Sequence, residues 1–180
     1  MKRLRHVFVW LSRIHRCRGF GIQSPTDYWF VRYVVNEHWP YYQYDELAAA
    51  EKNDWLSRKL GQLCFRLANW RQPTCFACIP ESEGPMRWIK AGCWRTRLAT
   101  DQERAGLIWI GQPEDFTHIY NKVDEKTVAV VNGIHRDKAA IQKWQQIKDD
   151  GLTGITFDLY YCGIVMFDKK RTKQHYVVNF

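Results

Sequence analysis

The chain has 180 residues and a formal net charge of +8, with 46% hydrophobic and 26% charged residues. This length and composition suit one domain with a sizeable buried core. No stretch approaches the roughly 18 to 20 apolar residues that a membrane-spanning helix needs, so we expect a soluble protein.

The N-terminal segment carries most of the excess positive charge. Its first eighteen residues contain no acid and six basic residues: Lys2, Arg3, Arg5, Arg13, Arg16 and Arg18. Apolar residues recur there at helical spacing and predict a basic amphipathic helix: Leu4, Val7, Phe8, Leu11 and Ile14. Such a helix either binds an anionic surface, membrane or nucleic acid, or packs its apolar stripe on the domain. We favour the second interpretation, because basic faces are usually solvated faces.

Three further helices are predicted before the first strand, over residues 24–38, 45–51 and 54–69. Ser24 is suited to the N-cap position, and the proline after it fits the first helical position. Asn69 can adopt the left-handed conformation that ends the third of these helices, and Pro73 prevents its continuation. Residues 1–70 therefore form an N-terminal helical extension, which we expect to pack on a core formed by residues 71–180.

Residues 74–84 begin the core. Their apolar run ends at Pro80 and predicts a strand buried on both faces, because turn signals lie on either side of it. Residues 81–84 form a small polar loop, and Pro85 can begin a helix. A strand, a tight loop and a helix form the first unit of a doubly wound α/β domain. In such domains ligands bind at the loops that follow the carboxyl ends of the strands.

The rest of the chain alternates strands and helices. Further strands are predicted over residues 94–98, 107–110, 127–131, 155–161, 164–168 and 174–180. Helices are predicted between them over residues 114–122 and 137–148. The strands over 155–161 and 164–168 form an antiparallel hairpin. The sequence therefore predicts an α/β fold whose mostly parallel sheet has an antiparallel edge.

Six cysteines are scattered along the chain: Cys17, Cys64, Cys75, Cys78, Cys93 and Cys162. Cys75 and Cys78 form a lone C-x-x-C pair, whereas a structural zinc site needs four ligands, so we expect no metal site. Both lie in a predicted strand rather than at a helix N-terminus, and we interpret them as buried core thiols. The apolar run after Arg5 is too short for a signal peptide. We therefore expect reduced thiols and a cytoplasmic protein.

Three blocks of sequence carry a resemblance to a known family. The first is Gly19-x-Gly21-Ile22-x-Ser24-Pro25 with the later Pro40-Tyr41-Tyr42. The second is Leu63-x-Phe65-Arg66-Leu67-Ala68-Asn69 with Gln72-Pro73, and the third is Asp158-Leu159-Tyr160-Tyr161-x-Gly163-Ile164-Val165-Met166-Phe167. Through these blocks the chain resembles a bacterial subgroup of class I S-adenosylmethionine-dependent methyltransferases. The resemblance implies a Rossmann-like sheet whose first loop cradles the cofactor and whose later strands end in acids that serve cofactor binding, metal or base chemistry.

The chain departs from that family's pattern where the resemblance places the cofactor. Cys78 and Pro80 stand where relatives have a glutamate and a glycine-rich turn, and proline impairs the close backbone approach that glycine permits. Too few residues lie between Gly84 and Leu107 for the family's next two strands and the acid that grips the ribose. The resemblance therefore implies a truncated sheet with a vestigial cleft, which we expect Trp88 or Trp94 to fill. The predicted cleft residues are Glu81, Ser82, Glu83, Gly84, Gly111 and Asn132.

Three functions remain open. We favour a degenerate methyltransferase-like protein without turnover that acts as a binding or regulatory module and has no cofactor. Alternatively, the chain is an active methyltransferase that binds S-adenosylmethionine at a rebuilt site, with Glu81 or Glu83 on the cofactor and His135 as the base. These glutamates would otherwise stabilise the start of a helix, and His135 would bond to the backbone at a helix entry. The third function is nucleic-acid binding through the basic N-terminal helix and stacking aromatic side chains.

Overall fold

The computed structural model describes the backbone of residues 2–49 and 54–180, and side chains in the same ranges from His6 onward. The α-helices are α1 (Lys2–Ser12), α2 (Pro25–Phe30), α3 (Gln43–Ala49), α4 (Trp55–Arg71), α5 (Glu83–Gly92) and α6 (Lys138–Asp149). A π-helical turn (Val31–Val35) continues α2, and 3-10 helices cover Ile14–Gly19 and Pro113–Ile119. The strands are β1 (Cys75–Ile79), β2 (Arg97–Leu98), β3 (Leu107–Ile110), β4 (Val128–Asn132), β5 (Ile155–Asp158), β6 (Cys162–Met166) and β7 (Gln174–Val177).

These strands form one seven-stranded sheet in the order β2-β1-β3-β4-β6-β5-β7. β1 pairs in parallel with β2 and β3, and β3 pairs in parallel with β4. β6 runs antiparallel to both of its neighbours, β4 and β5, and β7 runs parallel to β5. The fold is therefore α/β with a mixed, mostly parallel sheet, as predicted, and it is compatible with a Rossmann-like fold.

Hydrophobic cores cover both faces of the sheet. On one face, strand residues pack with the helices that precede and follow β1, and this core includes Leu63, Phe76, Trp88, Leu107, Trp109 and Val130. On the other face, the alternate strand residues pack with α6 and the 3-10 helix after β3, and this core includes Ala77, Ile108, Phe116, Val131, Trp144 and Ile147. Strands buried on both faces need apolar residues at every position, which is why continuous apolar runs predicted β1, β3 and β4 correctly.

The antiparallel strand lies inside the sheet, so the prediction that it forms an edge is wrong. β6 pairs with β4 on one side and with β5 on the other, and β7 forms the edge. Cys162, Ile164 and Val165 are fully buried, as suits an interior strand without polar alternation. Most of β7 is exposed, as suits an edge. At the opposite edge, the strand predicted over 94–98 is reduced to Arg97–Leu98.

Three helix predictions need correction. Asn69 does not end α4, because the helix continues to Arg71 and Gln72 takes the left-handed conformation with φ of 47°. The helix thus extends until Pro73 blocks it. Residues 113–119 form a 3-10 helix instead of the α-helix predicted over 114–122. The helix predicted over 45–51 spans Gln43–Ala49, and its last two predicted residues lie outside the described residues.

The apolar stripe of α1 and the residues after it does not pack on the domain, which contradicts the interpretation that we favoured. The exposed fractions are 55% for Val7, 78% for Phe8, 51% for Leu11 and 51% for Ile14. Polar side chains face the protein instead. His6 Nδ1 lies 2.6 Å from the Tyr161 hydroxyl, and Arg13 pairs with Asp158 at 2.8 Å. The side chains of Lys2, Arg3, Leu4 and Arg5 lie outside the described residues.

A buried ion pair ties α2 to the C-terminal strands. Asp27, which is 1% exposed, accepts hydrogen bonds from Nη2 of Arg171 at 2.8 Å and from the Tyr176 hydroxyl at 3.2 Å. Arg171 follows β6, and Tyr176 lies in β7. Charge as well as apolar packing therefore holds the N-terminal helices on the sheet.

Gly163 in β6 tests how tightly Trp144 packs on the sheet. A Cβ at this position would lie 2.3 Å from the Trp144 ring, which is 3% exposed. We expect Gly163→Ala to lower the free energy of unfolding by about 1–3 kcal/mol, the usual cost of overpacking a core. Gly151→Ala is the matched control, because no atom lies within 4 Å of its Cβ position. Urea unfolding of both variants measures the effect, and equal midpoints would contradict this packing.

Candidate functional site

The sheet has a topological switch point between β1 and β3. After β1 the chain crosses to β2 on one side, and it then returns to place β3 on the other side of β1. The loops after β1 and β3 therefore leave a crevice at the carboxyl ends of these strands, where open α/β sheets bind ligands. A cavity of about 320 Å³ occupies this position, and we call it the switch-point cavity.

Part of the predicted cleft lines the switch-point cavity. The four predicted residues that line it are Ser82, Gly84, Gly111 and Asn132. Glu81 and Glu83 are exposed and do not line it. Glu83 lies in the first turn of α5, where the helix dipole favours an acid. The described residues around this cavity are therefore all uncharged.

The loops after β1 and β3 approach each other closely. The backbone N–H of Gly111 donates to the carbonyl of Ile79 at 2.7 Å, and a Cβ on Gly111 would lie 3.0 Å from Cδ of Pro80. Asn132, at the end of β4, donates from Nδ2 to the Gly111 carbonyl at 3.3 Å. The Pro80 ring thus takes up space beside the end of β3, and contacts between the loops hold the mouth of the crevice in place.

Two tryptophans form the inner wall of the switch-point cavity. Trp88 is 1% exposed and Trp109 is 6% exposed, and both line the cavity. Trp88 also packs tightly on α4, because a Cβ on Gly61 would lie 2.3 Å from its ring. Trp94, the other residue that we expected to fill the cleft, is 80% exposed and lies at the surface. The part of the switch-point cavity that the Trp88 ring does not fill suits an apolar, uncharged group.

A second cavity of about 420 Å³ extends the crevice along the same edge of the sheet, and we call it the histidine cavity. Asn132 lines both cavities, whereas His135, Tyr160 and Tyr161 line only the histidine cavity. α1 contributes His6 to its wall. The crevice therefore runs from the loop after β1 to the turn between β5 and β6.

Asp158, the last residue of β5, forms the polar centre of this part of the crevice. Since β4 and β5 both run antiparallel to β6, Asp158 and Asn132 lie at the same edge of the sheet. One carboxylate oxygen of Asp158 lies 2.7 Å from Nε2 of His135, and the other accepts from Nη1 of Arg13 at 2.8 Å. The same nitrogen of Arg13 donates to the Asp158 carbonyl at 3.1 Å. Three side chains from distant parts of the chain thus meet here.

Tyr160 completes this cluster. Its ring stacks on His135 with centroids 5.0 Å apart and an interplanar angle of 7°, and the Arg13 guanidinium lies 5.1 Å from the same ring. Its backbone N–H donates to Asp158 Oδ1 at 2.9 Å. Tyr160 has a φ of 70°, a conformation that is costly for an aromatic residue. Tyr160 adopts this strained conformation while it contacts Asp158, Arg13 and His135.

The charge state of Asp158 follows from these contacts. Burial alone would raise its pKa, but the hydrogen bond with His135 and the charge of Arg13 outweigh burial and lower the pKa to about 2. The carboxylate is therefore ionised at neutral pH, and both of its oxygens are already bonded. Such an acid can hold a histidine in the orientation of a general base. Among the described residues, none bonds the other ring nitrogen of His135.

We predicted Arg13 only as one of the N-terminal basic residues that could contact an anionic surface, and we did not predict Asp158 as a site residue; Arg13 is instead paired with Asp158. They are 145 positions apart, so no local motif connects them. We also predicted that the strand continues to residue 161, which placed Asp158 inside it, whereas β5 ends at Asp158. The available signal was a single acid in an otherwise apolar strand. His135, which was predicted as a base or as a backbone partner, bonds to a carboxylate.

The two cysteines of the C-x-x-C pair line neither cavity of the crevice, whereas Cys64 lines the switch-point cavity. Cys75 and Cys78 lie in β1 and are 4% and 6% exposed, which confirms that they are buried strand residues. Burial, with a smaller effect of Glu81, raises the pKa of Cys78 to about 12. All six cysteines are free, and the described residues contain no cluster of metal-ligating side chains.

The chain matches no family model, no curated protein and no solved structure. In the part of the chain that the structure describes, no helix is long and apolar enough to cross a membrane. Function is therefore inferred from the geometry of the crevice.

Asp158 should make stability depend on pH in the acid range. Its pKa in the folded protein, about 2, is below the usual value near 4, so its contribution is complete above about pH 4 and is lost as the pH falls towards 2. We expect Asp158→Asn to cost about 2 kcal/mol of unfolding free energy at pH 7 and to flatten the loss between about pH 4 and 2. Asp101→Asn is the control, because it removes a fully exposed carboxylate whose ion pair with Lys122, at 3.8 Å, is long. Urea unfolding across this pH range measures both variants. An unchanged acid limb in Asp158→Asn would show that the contacts of Asp158 do not stabilise the fold.

Proposed function

We propose that the chain is a degenerate class I S-adenosylmethionine-dependent methyltransferase-like protein that acts as a binding or regulatory module without turnover. The observation that carries this proposal is the charge of the crevice. The described residues around the switch-point cavity are all uncharged, and Asp158, at the same edge of the sheet, is already bonded to Arg13 and His135.

The cofactor's chemistry explains why this matters. S-adenosylmethionine carries a positively charged sulfonium, a positively charged amine, a negatively charged carboxylate and two ribose hydroxyls, so its net charge is positive. Burying a charge without a partner is costly, and a neutral lining supplies no counter-charge. Glu81 and Glu83, the acids nearest to the switch-point cavity in sequence, are exposed and do not line it. The switch-point cavity therefore has a ligand-sized volume without the charges that this cofactor requires. Asp54 lines the adjoining histidine cavity, but its carboxylate caps α4 by accepting from the backbone N–H and the hydroxyl of Ser57 at 2.9 and 2.7 Å.

The fold gives this proposal further support. The switch point between β1 and β3 and the hairpin of β5 and β6 are compatible with a methyltransferase-like sheet. Among the described strands, β2 is the last beyond β1, and it contains only two residues. This short edge agrees with a truncated sheet that lacks the family's ribose-binding acid. The six free thiols also fit the reducing cytoplasm, where we place the protein.

One observation favours a second candidate, an active methyltransferase with a rebuilt site. His135 lines the histidine cavity and lies 2.7 Å from the Asp158 carboxylate, which is the arrangement of an oriented general base. In this case His135 would accept a proton from the methyl acceptor. The candidate still requires a cofactor site that the neutral lining of the switch-point cavity does not supply.

Calorimetric titration with S-adenosylmethionine separates the two candidates. We expect no saturable heat, and also none with S-adenosylhomocysteine, whose sulfur is uncharged. Near-ultraviolet circular dichroism of the nine tryptophans verifies that the titrated protein is folded. One-to-one binding of S-adenosylmethionine at micromolar concentration would contradict the proposal. The His135→Gln variant would then show whether the histidine also carries turnover.

A further inference from the structure

We propose that a separate pocket between the N-terminal segment, α4 and the C-terminal residues binds a ligand that carries a phosphate group. The pocket has a volume of about 480 Å³ and shares no lining residue with the switch-point or histidine cavities. We call it the basic pocket. Its existence does not depend on the function proposed above for the crevice.

Three cationic side chains line the basic pocket: Arg18, Lys59 and Arg66. None of them forms an ion pair with a carboxylate of the described residues. The acidic side chain among the described lining residues is that of Glu37, and both of its oxygens accept from the Tyr41 hydroxyl, at 3.2 and 3.1 Å. The charged side chains of the pocket therefore have a positive balance that is not compensated within it.

Arg66 is held rigidly at the inner end of the pocket. It is 6% exposed, and it donates from Nε to the Val34 carbonyl at 2.8 Å and from Nη2 to the Val35 carbonyl at 2.9 Å. These contacts satisfy carbonyl groups at the end of the π-helical turn, but they do not neutralise the guanidinium. A buried guanidinium without a carboxylate is unusual, and an anion in the pocket would supply the missing charge.

Lys59 lies over two aromatic rings instead of next to an acid. Its Nζ is 5.1 Å from the centroid of Trp55 and 4.4 Å from that of Phe180. Burial first, and then the charge of Arg66, lower its pKa to about 8. Burial lowers the pKa of His38 as well, and the charges of Arg66, Lys59 and Arg18 add to that effect. These four side chains therefore share one region of positive potential.

The pocket also offers a hydrogen-bond donor that has no acceptor. Nδ2 of Asn36 is fully buried and has no partner, and Asn36 lines the pocket. A phosphate dianion presents several acceptor oxygens and two negative charges, so it matches several cations better than a carboxylate does. This match is why we assign a phosphate group rather than a carboxylate.

The rim of the basic pocket is aromatic. Trp10 and Trp39 line the pocket and are 46% and 68% exposed. Two other residues of α1 near Trp10, Phe8 and Leu11, are also exposed. The phosphate can therefore belong to a soluble molecule with an aromatic group or to the headgroup of a lipid whose chains contact α1. Both sources share the phosphate monoester, and the experiment below distinguishes them.

Phenyl phosphate is the soluble probe, and phenol is its control without the anion. We expect calorimetry to show one-to-one binding of phenyl phosphate and none of phenol. Lys59→Met should weaken binding by about tenfold or more, the usual effect of removing one charge-assisted contact. Lys138→Met removes an exposed lysine at the start of α6, and we expect it to leave affinity unchanged. No saturable binding by the folded protein, or equal affinities in the two variants, would overturn the proposal.

A second readout reports on Lys59 directly. An anion next to the amine raises its pKa from about 8, so binding at pH 8 should take up a fraction of a proton. Titrations in buffers of different ionisation enthalpy measure this uptake, which Lys59→Met should reduce. Thermal unfolding verifies the fold of the variant. Because burial disfavours the charged amine, we expect its midpoint at pH 7 to be no lower than that of the natural chain.

Vesicle sedimentation identifies the source of the phosphate. The vesicles contain phosphatidylcholine with or without phosphatidic acid, a lipid whose headgroup is a phosphate monoester. If a lipid is the ligand, phosphatidic acid should sediment the protein, and Phe8→Ser and Lys59→Met should each reduce sedimentation. If the ligand is soluble, phenyl phosphate binds without sedimentation, and Phe8→Ser leaves its affinity unchanged. Sedimentation that survives Lys59→Met, together with no binding of phenyl phosphate, would assign lipid binding to α1 alone and overturn the proposal.

Discussion

The ion pair between Arg13 and Asp158 fixes the N-terminal segment over the carboxyl edge of the sheet. Arg13 follows α1, and Asp158 ends β5, so one contact at 2.8 Å brings α1 to the mouth of the crevice. Both side chains are largely buried, and the loss of either one would leave the other charge uncompensated. The pair therefore helps to position α1, together with the contact between His6 and Tyr161 and the hydrogen bond from Asn179 Nδ2 to the Trp10 carbonyl. It also occupies the carboxylate of Asp158.

Charge is distributed unevenly between the crevice and the basic pocket. Asp158 forms an ion pair with Arg13 and a hydrogen bond with His135, and the switch-point cavity has no charged lining among the described residues. Arg18, Lys59 and Arg66 instead collect in the basic pocket without carboxylate partners. A cation such as S-adenosylmethionine finds no counter-charge among the described residues that line the switch-point cavity, although Asp54 lines the adjoining histidine cavity. An anion finds several cations in the basic pocket. Among the described residues, the basic pocket is thus better suited to an anion than the switch-point cavity is to a cation.

The sequence predicted those parts of the fold that depend on local pattern. Continuous apolar runs identified β1, β3 and β4. Ser24 was predicted as an N-cap, and the helices predicted to begin at Asp54 and Asp137 have these residues as their N-caps. The prediction was wrong where the structure depends on contacts between residues that are distant in sequence. The interior position of β6 depends on its pairing with β4, and the exposed stripe of α1 depends on Arg13 and Asp158. The basic pocket was also beyond prediction, because Arg18, Lys59 and Arg66 converge only after the N-terminal segment packs on α4.

The central claim is that the described residues that line the switch-point cavity offer no acid to a methyl-donor cofactor. The most direct test is a crystal structure of the protein soaked with S-adenosylmethionine. We expect that structure to show Trp88 and Trp109 lining a crevice without the cofactor, and Asp158 still in contact with Arg13 and His135. An adenosyl ligand held by Glu81, Glu83 or a released Asp158 carboxylate would contradict the account.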